Sequence, residues 1–126
     1  MNEFGTTITC MDGRVQETVQ QYVKDNYNVK YVDTITLAGP VKVIALKKQK
    51  SILHNLQFRS DISVNGHKSN IIAVVGHHDC AGIVEDDDTQ VEFIKESVKT
   101  IKEWYTGVTV IGLWLDEKFQ ITKLND

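Results

Sequence analysis

The segment IIAVVGHHDCAG, residues 71–82, begins with five consecutive apolar residues and ends in a run that carries two histidines and a cysteine. A continuous apolar run of this length is typical of a central strand that is covered on both faces of a sheet. We therefore predict a buried strand over Ile71–Val75. The two residues between His77 and Cys80 allow both side chains to turn toward one metal ion where the strand ends.

The rest of the chain alternates between strand-like and helix-like patterns. Strands are predicted at Thr6–Thr9, Lys30–Leu37 and Val108–Leu113, and a short edge strand at Phe119–Leu124 after a turn at Asp116–Lys118. Helices are predicted at Val15–Asn26, Val41–Phe58 and Val91–Tyr105, the last preceded by a capping-box pattern at Thr89 and Glu92, and a polar loop is predicted at Arg59–Asn70. This order predicts an α/β fold with a mostly parallel sheet, in one domain over residues 1–126.

Composition narrows the class of protein. The chain is 41% hydrophobic and 25% charged with a net charge of -3, so we expect neither nucleic acid nor an anionic membrane as a partner. No apolar run approaches the roughly 18 residues of a membrane helix. Residues 1–4 lack the basic and apolar regions of a secretory signal, which favours a cytoplasmic protein. The two cysteines could form a disulfide in a secreted protein, but in a reducing cytosol they are better explained as ligands or nucleophiles.

A second motif, CMDGR at residues 10–14, follows the predicted first strand. Because the carboxyl ends of parallel strands open on the ligand-binding edge of such sheets, Cys10 is expected to lie near His77 and Cys80. Two thiols and an imidazole are a ligand set that Zn²⁺ favours, and three protein ligands leave a fourth position open. The sequence therefore predicts a zinc site with Cys10, His77 and Cys80 as metal ligands.

Asp12 and Arg14 are the candidate catalytic residues. Asp12 can occupy the fourth metal position or accept a hydrogen bond from bound water, and Arg14 can hold that carboxylate in a two-pronged pair and keep it ionised. Simpler interpretations remain open: Asp12 could cap the helix near Val15, and Arg14 could form an ordinary surface ion pair.

A nucleophilic Cys–His pair, either Cys80 with His77 or Cys10 with His78, is a second class of site. It ranks below zinc because no oxyanion-hole motif or orienting third residue is visible. The remaining polar residues are expected to play structural roles: His78 near the site or at the surface, His54 and His67 outside it, Asp79 as a cap of the following turn, and Glu85–Asp88 as solvated acidic residues.

The paired motifs C-x-D-x-R and H-x-x-C resemble those of the β-class carbonic anhydrases, and the resemblance extends through the chain to the segment VIGLW at residues 110–114. It implies four parallel strands with a fifth strand, Zn²⁺ on Cys10, His77 and Cys80, and an Asp12–Arg14 pair that gates the fourth ligand position. In that family zinc hydroxide attacks CO₂ to give bicarbonate, and the functional unit is a homodimer or a larger homo-oligomer.

Three departures from the family pattern affect the function that the resemblance implies. Gly13 stands where the family usually has Ser, and TLAGP at residues 36–40 replaces Arg-Asn-Ala-Gly-Asn. Most members carry N-terminal helices that embrace a partner subunit, whereas here the first strand is expected close to Met1, as in a small, N-terminally trimmed member. The leading hypothesis is a zinc lyase acting on CO₂ and bicarbonate. A hydrolase of COS or CS₂ and a non-catalytic zinc-binding protein stay open as alternatives.

Overall fold

The computed structural model describes residues 3–125. Met1, Asn2 and Asp126 lie outside the described residues. The prediction on a secretory signal at residues 1–4 and the ends of the predicted domain fall partly on them. The strands are β1 (Phe4–Cys10), β2 (Tyr31–Leu37), β3 (Ile71–His77), β4 (Thr109–Leu115) and β5 (Ile121–Lys123). The helices are α1 (Gly13–Tyr27), α2 (Pro40–Leu46), α3 (Lys50–Asp61) and α4 (Asp87–Trp104), with a π-helical turn at Ile62–Gly66 between α3 and β3.

The five strands form one sheet in the order β2-β1-β3-β4-β5. Strands β1 to β4 are parallel, and β5 is antiparallel to β4. This confirms the predicted α/β fold with four parallel strands and a short fifth edge strand. Because β1 and β3 are parallel, their last residues, Cys10 and His77, both lie at the carboxyl edge of the sheet. Because the two strands are neighbours, these residues also lie close together.

The apolar run of β3 is buried at every position, as its sequence predicts. Alternate residues serve opposite faces: Ile72 and Val74 join the cluster that packs against α2 and α4, whereas Ala73 and Val75 pack with the valines of α1. Each fully buried aliphatic side chain contributes roughly 1.5–3 kcal/mol to the free energy of unfolding. Helix α4 approaches closely over Gly76, where a Cβ atom would lie only 2.8 Å from Ile94 Cδ1.

The predicted helix over Val41–Phe58 is wrong as a single element. The chain forms α2 and α3 instead, with a break at Lys47, whose φ of 57° is left-handed. The Lys47 N–H donates to the Val43 carbonyl and ends α2. The break falls in the exposed segment KKQK at residues 47–50, where no apolar side chain is available to hold a continuous helix against the sheet.

The polar loop predicted at Arg59–Asn70 is also wrong in its first half. Helix α3 continues to Asp61 and leads into the π-helical turn, whose Ser63 is buried. Its hydroxyl lies 2.6 Å from Thr6 Oγ1 and donates to Asp33 Oδ2 at 2.7 Å. These partners are distant along the chain, so local polarity alone could not indicate them.

Most element boundaries differ from the predicted ones by one or two residues, and the start of α4 differs more. Helix α4 begins earlier than the capping-box pattern suggested, because Asp86 is the N-cap and accepts a hydrogen bond from the Thr89 N–H. Strand β5 is shorter than predicted, and Phe119 belongs to the preceding turn. The turn itself is confirmed, since Asp116 Oδ1 accepts the N–H groups of Lys118 and Gln120. Within residues 3–125 no helix has the length and apolar character needed to cross a membrane.

Candidate metal centre

The structure brings the three predicted metal ligands together. Cys10 ends β1, His77 ends β3, and Cys80 follows three residues later in the turn. Their ligand atoms all lie within 4.8 Å of one another. All three side chains are buried, which protects the group from bulk water. Among the described residues, this is the only cluster of three or more potential metal ligands.

The separation of the two sulfur atoms fits a shared ion. Cys10 Sγ and Cys80 Sγ are 3.8 Å apart, and both cysteines are free. A disulfide would require about 2.05 Å. Two thiolates about 2.3 Å from one tetrahedral zinc ion would instead lie about 3.8 Å apart. The observed spacing therefore matches thiolates that bind one metal ion.

The His77 ring is oriented so that one nitrogen is left for a ligand. Its Nδ1 donates a hydrogen bond to the His78 carbonyl at 2.8 Å, a second contact that fixes the tautomer of metal-binding histidines. Its Nε2 is buried and has no hydrogen-bond partner among the described residues. An orphaned buried polar atom costs about 1–3 kcal/mol, and a metal ion held by the two thiols would satisfy it.

The three groups perturb one another's protonation. Burial raises the pKa of the Cys10 thiol, but the adjacent His77 imidazole and the backbone N–H groups of Gly39 and Asp12 outweigh burial and lower that pKa to about 7. Burial raises the pKa of Cys80, and the nearby Cys10 raises it further. Burial lowers the pKa of His77, but the interactions with Cys10 and the His78 backbone give a net increase. Cys10 is therefore the thiol that ionises more readily.

Asp12 has both of the structural roles considered from the sequence. Its Oδ1 accepts the Arg14 backbone N–H at 2.9 Å and so caps α1. The Arg14 side chain also donates from Nε to Oδ1 at 3.0 Å and from Nη2 to Oδ2 at 2.7 Å. These hydrogen bonds lower the pKa of Asp12 to about 2. The ionised carboxylate lies beside the cluster, with Oδ2 4.0 Å from His77 Nε2.

Cys10 connects the cluster to a cavity of about 410 Å³. The other lining residues are Met11, Asp12, Gly13, Ala38, Ala81 and Gly82. One wall is formed by close backbone packing: a Cβ atom at Gly82 would lie 2.8 Å from the carbonyl carbon of Ala38. A Cβ atom at Gly13 would meet nothing within 4 Å, so the family's usual serine would fit. Leu37 is not one of the lining residues: its backbone carbonyl accepts the Met11 N–H, and its side chain packs against the apolar core.

The remaining histidines lie outside the cluster. His78 is partly exposed and pairs through Nδ1 with Asp87 Oδ2 at 2.7 Å, in agreement with its expected place near the site or at the surface. His67 pairs with Asp33 on another part of the sheet, and His54 is exposed on α3.

Sequence reasoning missed two contacts of Arg14. The Arg14 guanidinium carbon lies 4.9 Å from the centroid of the Phe119 ring, and Nη2 donates to the Asp79 carbonyl at 3.1 Å. Asp79 was expected only to cap a turn, and Phe119 was assigned to the edge strand. No local pattern signals a contact between residues 14 and 119, because they belong to elements at opposite ends of the chain.

Comparisons with known proteins agree with this structure. A family model described as "Putative carbonic anhydrase" matches residues 1–125. No curated protein matches the chain significantly. Among solved structures, β-carbonic anhydrase isoform I of Trichomonas vaginalis is 17% identical with a TM-score of 0.64, covering 97% of this chain and 81% of its own.

Two other solved structures are similar to the same extent. A carbonic anhydrase of Streptococcus mutans is 16% identical with a TM-score of 0.65, covering 98% of this chain and 82% of its own. One of two tetrameric β-carbonic anhydrases of Sordaria macrospora is 14% identical with a TM-score of 0.66, covering 98% and 81%. At these identities the likeness shows the fold, whereas the family model spans nearly the whole sequence. The chain therefore belongs to the family described as "Putative carbonic anhydrase", and its fold is similar to that of the β-carbonic anhydrases.

Proposed function

We propose that the protein is a zinc-dependent lyase that interconverts CO₂ and bicarbonate. In this proposal Cys10, His77 and Cys80 hold Zn²⁺, and Asp12 and Arg14 form the catalytic pair. The observation that carries the proposal is the buried Nε2 of His77, which has no partner among the described residues and lies within 4.8 Å of two thiols and 4.0 Å from a carboxylate held by arginine.

When bound, zinc supplies Lewis acidity and lowers the pKa of water enough for attack on a carbonyl carbon near neutral pH. The chain's own residues prepare the place for that step. The His78 carbonyl keeps the proton of His77 on Nδ1, so that Nε2 is free as a ligand. The small, largely apolar lining around Cys10, Ala38 and Ala81 suits an uncharged substrate as small as CO₂.

In this scheme Asp12 orients the water molecule at the metal site by accepting a hydrogen bond from it, and it does not act as a proton carrier. A general base works best when its pKa lies near the working pH, and a carboxylate with a pKa of about 2 is a poor base at neutrality. It is nevertheless a strong hydrogen-bond acceptor. Arg14 keeps the carboxylate ionised and turned toward the cluster through its two-pronged contact.

We also propose a cytoplasmic homo-oligomer built from one domain per chain. Support comes from the fold shared with the tetrameric Sordaria macrospora enzymes. Met11, which lines the cavity, is 66% exposed in the single chain, so a second copy would find an apolar contact at the mouth of the site.

The apolar packing of Leu37 favours one competing function. Where the family usually has a polar pair, this chain has Thr36 and Leu37, and the Leu37 side chain packs against the apolar core. A non-catalytic zinc protein would tolerate that loss, and a hydrolase of COS or CS₂ would use the same zinc site for another small heterocumulene.

Metal analysis with stopped-flow CO₂ hydration at mildly alkaline pH tests the proposal. We expect one zinc ion per chain and hydration well above buffer. The variant Asp12→Asn should keep zinc but lose about 100-fold in rate, because an oriented charged acceptor is removed. Asp25→Asn, a change at an exposed aspartate on the same helix, is the matched control and should act like the parent protein.

Each contrary result selects another function. Stoichiometric zinc with no hydration above buffer rejects the lyase and supports the non-catalytic protein. Sulfide release from COS without CO₂ hydration supports the hydrolase.

A further inference from the structure

The Arg14 guanidinium is held from three directions. Asp12 accepts its two-pronged hydrogen bonds, as described above. The Asp79 carbonyl accepts Nη2 at 3.1 Å, and the Asp79 carboxylate lies 3.4 Å from Nη1. The Phe119 ring covers one face, with the guanidinium carbon 4.9 Å from the ring centroid. A side chain that is 49% exposed is thereby restricted to one orientation.

Both of the additional contacts come from residues with left-handed backbone. Asp79 has a φ of 60° and Phe119 a φ of 57°. Aspartate tolerates this region, but a bulky aromatic residue there is a genuine outlier. Such strain tends to occur where the surrounding structure enforces it, often at functional sites. The strained backbone of Phe119, whose ring contacts the guanidinium, therefore indicates a role for that contact.

The turn between β4 and β5 enforces the conformation of Phe119. The Phe119 N–H donates to the Asp116 carbonyl at 2.8 Å, and the Asp116 side chain accepts the N–H groups of Lys118 and Gln120. A glycine at 119 would satisfy the same turn without strain. The turn thus requires only the backbone conformation at position 119 and not an aromatic side chain.

The Phe119 ring also faces the metal ligand. Its centroid is 6.3 Å from that of His77, with an angle of 28° between the rings. Phe119 therefore lies against both Arg14 and His77, the residues on either side of Asp12 Oδ2.

We propose that Phe119 is a positioning residue: with the Asp79 carbonyl it fixes the Arg14 guanidinium, and through it the Asp12 carboxylate, at the metal site. Cation–π attraction holds a guanidinium flat against an aromatic face. In that orientation Nε and Nη2 both point at Asp12, whereas a freely rotating Arg14 would often present one donor or none. The catalytic part of this inference rests on the proposed lyase function.

Phe119→Gly separates the ring from the turn. The variant removes the aromatic face and relieves the backbone strain, but it also removes the packing of the ring against the buried cluster that contains Leu115. These effects on stability oppose each other, so we expect a modest fall in the melting temperature, with a folded protein and unchanged zinc content. The kcat for CO₂ hydration should fall about 10-fold to 100-fold, the range expected when a reacting group is misplaced. Phe119→Tyr retains the ring and should retain the rate.

Two further variants act as controls. Lys47→Gly relieves the same left-handed strain, with a φ of 57°, far from the metal centre and should leave kcat unchanged. In an Arg14→Ala background, adding Phe119→Gly should produce no further loss, because the residue through which Phe119 acts is gone.

A spectroscopic measurement makes the test independent of turnover. In ¹⁵N NMR, the Arg14 Nε–H resonance of the zinc-loaded protein should be sharp and shifted by the ring current of Phe119. Phe119→Gly should broaden it and move it toward the position of a free arginine, and Phe119→Tyr should not.

The outcomes are distinct. An unchanged Arg14 signal in Phe119→Gly overturns the proposal, as does a changed signal with an unchanged kcat in an active enzyme. If the parent protein has no turnover but the Arg14 signal responds, the lyase function fails while the positioning contact stands.

Discussion

The two ends of β1 carry buried polar groups of very different character. Toward its amino end, the Thr6 hydroxyl lies within 2.7 Å of Ser63 Oγ and Ser69 Oγ, and Ser63 donates onward to Asp33. At its carboxyl end, four residues later, Cys10 joins a cluster in which the His77 Nε2 has no partner among the described residues.

The difference separates a structural network from a binding site. A buried polar network in which each hydroxyl has a partner rigidifies the structure, and here it fastens the π-helical turn to the sheet. Thr7 Oγ1, also on β1, is buried without a partner in the described part of the chain too, but only the His77 nitrogen lies beside two thiols that could share a metal ion with it. Until an ion binds there, that nitrogen destabilises the fold. One end of β1 thus contributes to a stabilising hydrogen-bond network, and the other end provides a candidate metal ligand.

Loss of a metal ligand, in the cluster at the carboxyl end of β1, should lower the stability most. We expect Cys80→Ser to lose zinc and to melt about 10 °C or more below the zinc-loaded parent, because ligand binding stabilises the folded state by about 4 kcal/mol at 1,000 times its Kd. Differential scanning calorimetry with metal analysis measures both quantities. Chelation of zinc from the parent protein should reproduce the same melting temperature, whereas lost zinc with unchanged melting would contradict a stabilising metal site.

Interrupting the amino-end network should have the next largest effect. Ser63→Ala removes one hydrogen-bond partner from Thr6 and one from Asp33, which keep Ser69 and His67, so we expect a loss of about 1 kcal/mol in the free energy of unfolding by urea titration. Zinc content should not change, since the network lies away from the cluster. Ser51→Ala, at an exposed serine of α3, is the matched control with no expected loss. An equal loss in both variants would argue against the network.

Alkaline pH should destabilise the fold through the region around the π-helical turn, where Tyr105 donates a hydrogen bond to Asp61. Burial and the hydrogen bond to Asp61, beside the π-helical turn, raise the pKa of the Tyr105 phenol above its usual value of 10. The folded state thus holds this proton more tightly than the unfolded chain does. Its contribution to stability is complete below about pH 10 and is lost as the pH rises toward the folded-state pKa. Melting curves between pH 9 and 11 should show a smaller alkaline decline for Tyr105→Phe; an identical decline would exclude this residue as the cause.

The smallest effect is expected beside the metal cluster itself. Gly13→Ser restores the family's usual residue in open space at the start of α1. Serine has a better helix propensity than glycine, so the free energy of unfolding should rise by at most about 0.5 kcal/mol. An increase in CO₂ hydration would show that the hydroxyl contributes to the site, and a loss of stability would show that the space is less open than the structure indicates.

Sequence patterns predicted the elements whose stability is local or strongly periodic. The apolar run of β3, the spaced valines of α1 and the stripe of α4 each follow from the period of one secondary structure. The break at Lys47 and the π-helical turn were missed for the opposite reason. Ser63 is buried because Thr6, 57 positions away, is there to meet its hydroxyl.

The same division applies to the metal centre. Sequence alone determined which chemical groups stand at or just after the ends of two strands, two thiols, an imidazole and a carboxylate, because each motif directly follows an apolar run. That these two strands are neighbours in the sheet was decided by the tertiary structure. Only the tertiary structure decided that the sulfurs lie 3.8 Å apart, that His77 keeps Nε2 free, and that Phe119 lies against Arg14. Such contacts depend on how distant elements pack, and packing sets distances and orientations that no local spacing contains.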